Sequence, residues 1–125
     1  MAIKLHYDEA RGILIATAGG RVDLDEFREI MGTITSGERY PATVPALWDL
    51  RELDFEDFDR NLALNVKKIR APFTERGNAP IALVVADQLG YGMMRMLQAF
   101  IDSTANSLVC YDYEKAVQWL AERAG

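Results

Sequence analysis

Few residues in this 125-residue chain have the types and spacing for chemistry. The single histidine, His6, and the single cysteine, Cys110, fall in the first and last strand-like runs. A nucleophilic Cys–His pair would also need a third group to orient the imidazole. A buried or partly buried structural role is expected for both, since a free cysteine commonly behaves as a small hydrophobe. Ser36, Ser103 and Ser107 lack the GxSxG elbow that exposes a nucleophile. One cysteine excludes an intramolecular disulfide and a thiolate-built metal site, and no EF-hand spacing is present for a carboxylate site. The expectation is therefore a non-enzyme with no cofactor and no metal. An enzymatic role would have to rest on Asp49, Arg51 and Arg95.

Two stretches carry the binding expectations. The first is the acidic run DLRELDFEDFDR at 49–60. Asp49 falls at the carboxyl end of an expected parallel strand, where open α/β sheets place ligands and contacts. Asp54, Glu56 and Asp57 are accounted for by a helix start, which favours acids; Asp49, Arg51 and Glu52 are less well covered. Asp49, Arg51, Glu52, Asp54 and Asp57 are together the expected surface for an as yet unidentified protein partner.

The second stretch is NAPIALVVADQLGYGMMRMLQAFI at 78–101. Leu89-Gly90-Tyr91-Gly92 opens a helix but matches neither GxGxxG nor a P-loop, so the glycines point to close helix–strand packing. At about 100° per residue, the apolar residues from Leu89 to Ile101 span an arc of roughly 160°, whereas a helix on a sheet needs about 100°. The ridge Leu89, Met93, Leu97 and Phe100 is assigned to the core. Met94, Ile101 and Tyr91 are left over. The wide arc is expected to mean either a helix buried between the sheet and neighbouring helices, or that Gly90, Tyr91, Gly92, Met93, Met94, Arg95, Leu97, Phe100 and Ile101 border a homodimer interface or an apolar groove for a small molecule or lipid, methionine being adaptable at such surfaces.

The elements that must position these residues follow from pattern. Ile3–Tyr7 and Gly12–Ala18 read as strands joined by a short antiparallel connection, with Gly19-Gly20 breaking the second for a sharp turn. Asp23 and Glu26 form a capping-box-like pair ahead of a helical stripe ending at Ser36-Gly37. Glu38–Pro45 reads as a surface connection and Ala46–Leu50 as a strand. Asp54 is the expected N-cap of a helix whose stripe is Phe55, Phe58, Leu62, Val66 and Ile69, with Lys67, Lys68 and Arg70 complementing its carboxyl end and Pro72 stopping it. Phe73–Pro80 is a loop, and Ile81–Ala86 a strand covered on both faces. After the helix from Gln88, Ser107–Tyr111 is the last strand. Asp112 then caps a helix whose Tyr113, Ala116, Val117, Leu120 and Ala124 share a face. The order ββαβαβαβα predicts an α/β single domain over 1–125, with a five-stranded, mostly parallel mixed sheet and four main helices.

Composition agrees. Half the residues are hydrophobic and the formal net charge is −5, which argues against a dedicated nucleic-acid binder. No apolar run approaches the roughly 18–20 residues that span a bilayer. The polar N-terminal stretch shows no signal peptide, so a cytoplasmic location is expected.

The element order, the ALWDLREL strand end, the IALVVADQLGYGMMRMLQ strand–helix and the closing VCYDYEKAVQWL resemble the SpoIIAA-like family. That family is related to STAS domains and shares its fold with CRAL-TRIO lipid-binding domains. The resemblance implies a regulatory or interaction module, or an apolar-ligand binder. STAS-type anti-sigma-factor antagonists carry a phosphorylatable hydroxyl at the start of the helix after the third strand. Here that place reads Arg51-Glu52-Leu53-Asp54-Phe55, without a hydroxyl, so the phosphorylation switch does not carry over. The chain also lacks the extra helices that deepen the lipid pocket of CRAL-TRIO domains.

Overall fold

A computed structural model describes residues 2–36, 39–41, 43–72, 79–101 and 106–123. The elements are β1 (Ala2–Asp8), β2 (Ile13–Arg21), α1 (Leu24–Thr35), β3 (Ala46–Asp54), α2 (Arg60–Arg70), β4 (Ile81–Val84), α3 (Gln88–Ile101), β5 (Ser107–Cys110) and α4 (Tyr113–Arg123). They build one five-stranded sheet in the order β1-β2-β3-β4-β5. The β1–β2 pair is antiparallel and the remaining pairs are parallel, as the order ββαβαβαβα predicts.

This strand order settles the layers. Three successive crossovers step the same way across the sheet, and right-handed crossovers then place their helices on one face. Accordingly α1, α2 and α3 pack side by side, while α4 covers the opposite face across β2–β5. Alternation along each strand feeds two cores. Leu50, Ile81, Leu83 and Val109 face α2 and α3 with Val66, Met94 and Leu97. Leu47, Ala82 and Val84 face Ala116, Val117 and Leu120 of α4. Strand β4, buried at every residue, is the doubly covered strand that its unbroken apolar run implies.

Local structure follows the sequence in several places. The β1–β2 turn closes through Gly12 N–H donating to the Asp8 carbonyl at 2.8 Å, with Gly12 at φ +68°. Asp23 caps α1 by accepting from the backbone N–H groups of Asp25 and Glu26. The other half of the expected box is spent elsewhere: the Glu26 carboxylate accepts from Ile3 N–H at 2.8 Å, tying α1 to the edge strand. Asp112 caps α4 through Lys115 N–H. Gly90 meets its expectation, since a Cβ there would lie 3.0 Å from Phe55 Cε2 and 3.2 Å from Val85 Cβ.

Elsewhere the structure corrects the sequence reading. Gly19-Gly20 does not break β2, which runs on to Arg21; Gly20, at φ +75°, stays in the ladder opposite Leu53. Strand β3 likewise continues past Leu50 to Asp54. The ladder steps from Thr17↔Asp49 to Gly19↔Glu52, so β3 carries one extra residue between Asp49 and Glu52, a bulge. Helix α2 therefore begins later than expected. Its N-cap is Asp59, accepting from Leu62 N–H, whereas Asp54 accepts from Glu56 N–H at 2.9 Å in the preceding turn. Phe55 and Phe58 are still buried, but from a loop. Tyr40 and Val44, within the expected surface connection, pack on Leu14 and Ile34. His6 is exposed on the edge strand. Of the remaining expectations, those on Gly37, most of Phe73–Pro80 and Ala124 lie outside the described residues.

The largest correction concerns α3. Its fully buried residues are Gly90, Met94, Leu97 and Gln98, while Leu89, assigned to the core ridge, is 48% exposed. Met94, assigned to the leftover edge, is buried to 2%. The helix is rotated because Gly90 has no side chain and lets the backbone descend onto Phe55 and Val85. At the other end Gln98 turns inward to a partner: its Nε2 donates to Ser107 Oγ at 2.7 Å. An apolarity count scores neither glycine nor glutamine as core, so it centres the buried face wrongly.

Candidate ligand cavity

Beneath α1, α2 and α3 the large core is not completely filled. A cavity of about 100 Å³ lies between the helices and the sheet. Its walls are Ala18 of β2, Ala46, Trp48, Leu50 and Leu53 of β3, and Ile81 and Leu83 of β4. Phe27, Met31 and Ile34 of α1, Phe58, Val66 of α2, and Met94, Leu97 and Ile101 of α3 roof it, with Val22 at one end. The β3 bulge contributes here: Leu50 and Leu53, three apart, both line the space, which strict alternation forbids. Phe27 and Trp48 meet edge-on, ring centroids 5.8 Å apart, and hold the α1 side of the wall.

Two polar side chains interrupt this lining besides the Trp48 indole, Arg70 and Ser107. Arg70 is the last residue of α2. Helix α2 runs antiparallel to the strands, so its last turn overlies their amino ends. Ser107 opens β5 there, opposite Ile81. Burial pushes the Arg70 guanidinium pKa down from its ordinary value. Gln98, buried to 1%, is satisfied on both sides, its Oε1 accepting from Arg95 Nη1 at 3.0 Å.

The expected partner surface is divided by the fold. Asp49 and Arg51 form a bidentate pair, with Nε to Oδ1 at 2.9 Å and Nη2 to Oδ2 at 2.7 Å. The Asp49 carboxyl also accepts from Arg51 N–H at 3.2 Å. The Arg51 hydrogen bonds hold the Asp49 carboxyl below its usual pKa against the opposing effect of burial. Asp49 in return raises the Arg51 pKa. The guanidinium lies 5.2 Å from the Tyr113 ring centroid, at the start of α4, where burial and then Asp49 push the phenol pKa up. Glu52 and Asp54 are exposed, and Asp57 pairs with Arg21, bordering a polar groove with Asn61 and Asn65. One sequence run thus supplies two separate places.

The residues grouped around α3 are also dispersed. Met94, Leu97 and Ile101 line the cavity, and Gly90 is the close-packing point. Tyr91 stacks on Tyr111, centroids 5.3 Å apart. Phe100 lies under the Arg60 guanidinium, Met93 is half-buried, and Gly92 faces open space. Sequence reasoning missed Arg70, Gln98, Ser107, Trp48 and the α1 wall as site residues.

Chemically the described residues offer little for catalysis. His6 and Cys110 lie on β1 and β5, opposite edges of the sheet. The Cys110 thiol donates to the Asp112 carbonyl at 3.4 Å, and burial raises its pKa. No group of three or more His, Cys, Asp or Glu that could hold a metal occurs among the described residues. No helix among them is long and apolar enough to cross a membrane.

Architecture places the chain among α/β domains with the SpoIIAA-like fold. The solved structure of an uncharacterized protein of the DUF3478 family from Shewanella loihica, described as having a SpoIIAA-like fold, superposes with a TM-score of 0.65. The match covers 95% of this chain and 92% of that chain at 20% identity, so the likeness is one of fold. No family model and no curated protein matches the chain.

Proposed function

We propose that this protein is a non-enzymatic binding domain that accepts a small apolar molecule between its sheet and helices α1–α3. The observation that carries this reading is the apolar cavity of about 100 Å³ inside the main core. Interiors are normally packed to crystal-like density with few voids larger than a water. An apolar void of about 150 Å³ stays dry and admits benzene. Trp48 in the wall provides a reporter, and Trp119 lies on the other face with α4. Native mass spectrometry of freshly purified protein should show an adduct that organic extraction removes. Trp48 emission, read in a Trp119→Phe background, should respond to an added apolar probe. A bare mass from several expression hosts together with a silent Trp48 sinks the reading.

A second reading, a regulatory interaction module of the STAS kind, draws on the exposed Glu52 and Asp54 beside Asp57. Self-association would belong with it, through exposed Leu89 and Tyr111. Pull-down with wild type and a Glu52/Asp54/Asp57 triple alanine variant tests the acidic surface; identical partner lists count against it.

A further inference from the structure

An edge strand presents unpaired N–H and C=O groups, a template on which another chain can pair. Of the two edges of this sheet, β5 offers four residues and β1 seven. Along an antiparallel pair, residues bonded to the neighbouring strand alternate with residues whose backbone groups point away from it. Two contacts fix that phase on β1. Leu14, opposite Tyr7, turns its N–H away from β1 to the Pro45 carbonyl. Ile3 N–H donates outward to the Glu26 carboxylate at 2.8 Å. Ile3, Leu5 and Tyr7 are therefore the outward set. Glu26 occupies the first donor, and the N–H and C=O groups of Leu5 and Tyr7 have no protein partner among the described residues.

The β1 side chains alternate as well. Ile3, Leu5 and Tyr7 pack onto the cores on the α1–α3 face. Lys4 and His6 point to the other face and are exposed, because α4 lies across β2–β5. Their cross-strand neighbours are Thr17 and Ile15, so neither meets a carboxylate on β2. Neither side chain has an ion pair or hydrogen bond among the described residues. Asp8, the next residue on that face, is held by Arg11.

Charge then decides what this edge can pair with. A second copy paired antiparallel about Leu5 would set Lys4 of one chain opposite His6 of the other, twice, and would bring no carboxylate to either. A strand with acidic residues on that face would set a carboxylate beside each; opposite charges across strands stabilise, whereas like charges do the reverse. On the other face an added strand extends the row of Ile3, Leu5 and Tyr7, which calls for apolar residues. Independently of the cavity and of the acidic surface, we propose that the β1 edge adds an extended segment of a partner protein in which acidic and apolar residues alternate. Its backbone bonds to Leu5 and Tyr7, and its carboxylates lie beside Lys4 and His6. Main-chain bonds supply the affinity of such strand addition and the alternate side chains its specificity.

The probe is a fluorescent peptide, Val-Glu-Val-Glu-Val-Glu-Val, titrated into the full chain and followed by anisotropy beside a counterpart with lysine for glutamate. The acidic peptide should bind at least about tenfold more tightly than the basic one, and Lys4→Glu should bring the two within about threefold. N-methylation of one alternate set of peptide amides, valine or glutamate according to strand direction, should abolish binding, and methylation of the other set should leave it within about threefold. Amide exchange read by NMR should slow about tenfold or more at Leu5 and Tyr7 at saturation, and change little at Lys4 and His6, already bonded to β2. Equal binding of acidic and basic peptides, equal loss from both methylated sets, or unchanged exchange at Leu5 and Tyr7 overturns the proposal. A dimer by light scattering in which Leu5 and Tyr7 are protected before any peptide is added assigns the edge to a second copy and overturns it too. The wild-type comparisons decide the matter even if Lys4→Glu fails to fold.

Discussion

Filling the cavity from the protein side tests its reality and its role together. Ala46 opens β3, is buried to 2%, and lines the space near its polar end. Ala46→Leu adds three carbons, worth about 2.4 kcal/mol of burial at ~0.8 kcal/mol per methylene. The void gives the same figure independently: about 100 Å³ at ~24 cal/mol per Å³ is again about 2.4 kcal/mol. Part of that gain is offset, because the new rotamer must fit existing walls and overpacking costs about 1–3 kcal/mol. The net expectation is about 1 kcal/mol of added stability. For 125 residues at ~2.1 cal/mol/K each, unfolding entropy is about 0.26 kcal/mol/K, so Tm should rise about 4 °C. Urea unfolding followed by Trp48 emission gives the stability, and the apolar-probe titration on the same variant gives occupancy, which should be lost. Destabilisation by more than about 2 kcal/mol with probe binding unchanged would show that the space beside Ala46 is neither empty nor the ligand's.

Other expectations follow from individual contacts. Gly90→Ala should destabilise by about 1 kcal/mol, because overpacking against Phe55 and Val85 outweighs the helix-propensity gain of about 1 kcal/mol. Gly92→Ala, facing open space, should instead stabilise by about 0.5–1 kcal/mol, and denaturant midpoints separate the two. Met94→Glu should cost at least about 3 kcal/mol by placing a charge in the core, so circular dichroism should show unfolding rather than a folded monomer released from a dimer. Asp49 has a folded pKa below its ordinary 3.8, so its contribution is fully present above that value and is lost as pH falls through the folded pKa; Asp49→Asn should flatten the stability–pH curve in that acid range and leave the neutral-pH slope unchanged. Cys110, with its thiol pKa raised by burial, should react with a disulfide reagent at pH 8 more slowly in the native protein than in urea, and equal rates would contradict the placement.

The fold was legible because its signals are local and redundant. A both-faces-buried β4, the caps at Asp23 and Asp112, and the Pro72 stop each state themselves within a few residues. What was not legible depends on register. Nothing in ALWDLRELD announces a bulge, yet the extra residue between Asp49 and Glu52 carries β3 on to Asp54, moves the α2 start to Asp59, and turns Leu53 into the cavity. Asp49 and Arg51 were singled out as a contact surface, and the chain pairs them with each other.

The cavity's polar end was visible in another form. Along α2 the buried row is Ala63, Val66 and Ile69; Arg70, four residues after Val66, flanks it half-buried, whereas Lys67 and Lys68 are exposed. A count of charges in the last turn treats the three cations alike, as complements to the helix dipole. The row distinguishes them, because of the three only Arg70 flanks it closely enough to reach the cavity lining. The same holds on α3, where Gly90, Met94 and Gln98 step by four and the glutamine stands in the core row. A polar residue in a core row is costly unless something satisfies it. For Gln98 that something is Ser107 and Arg95.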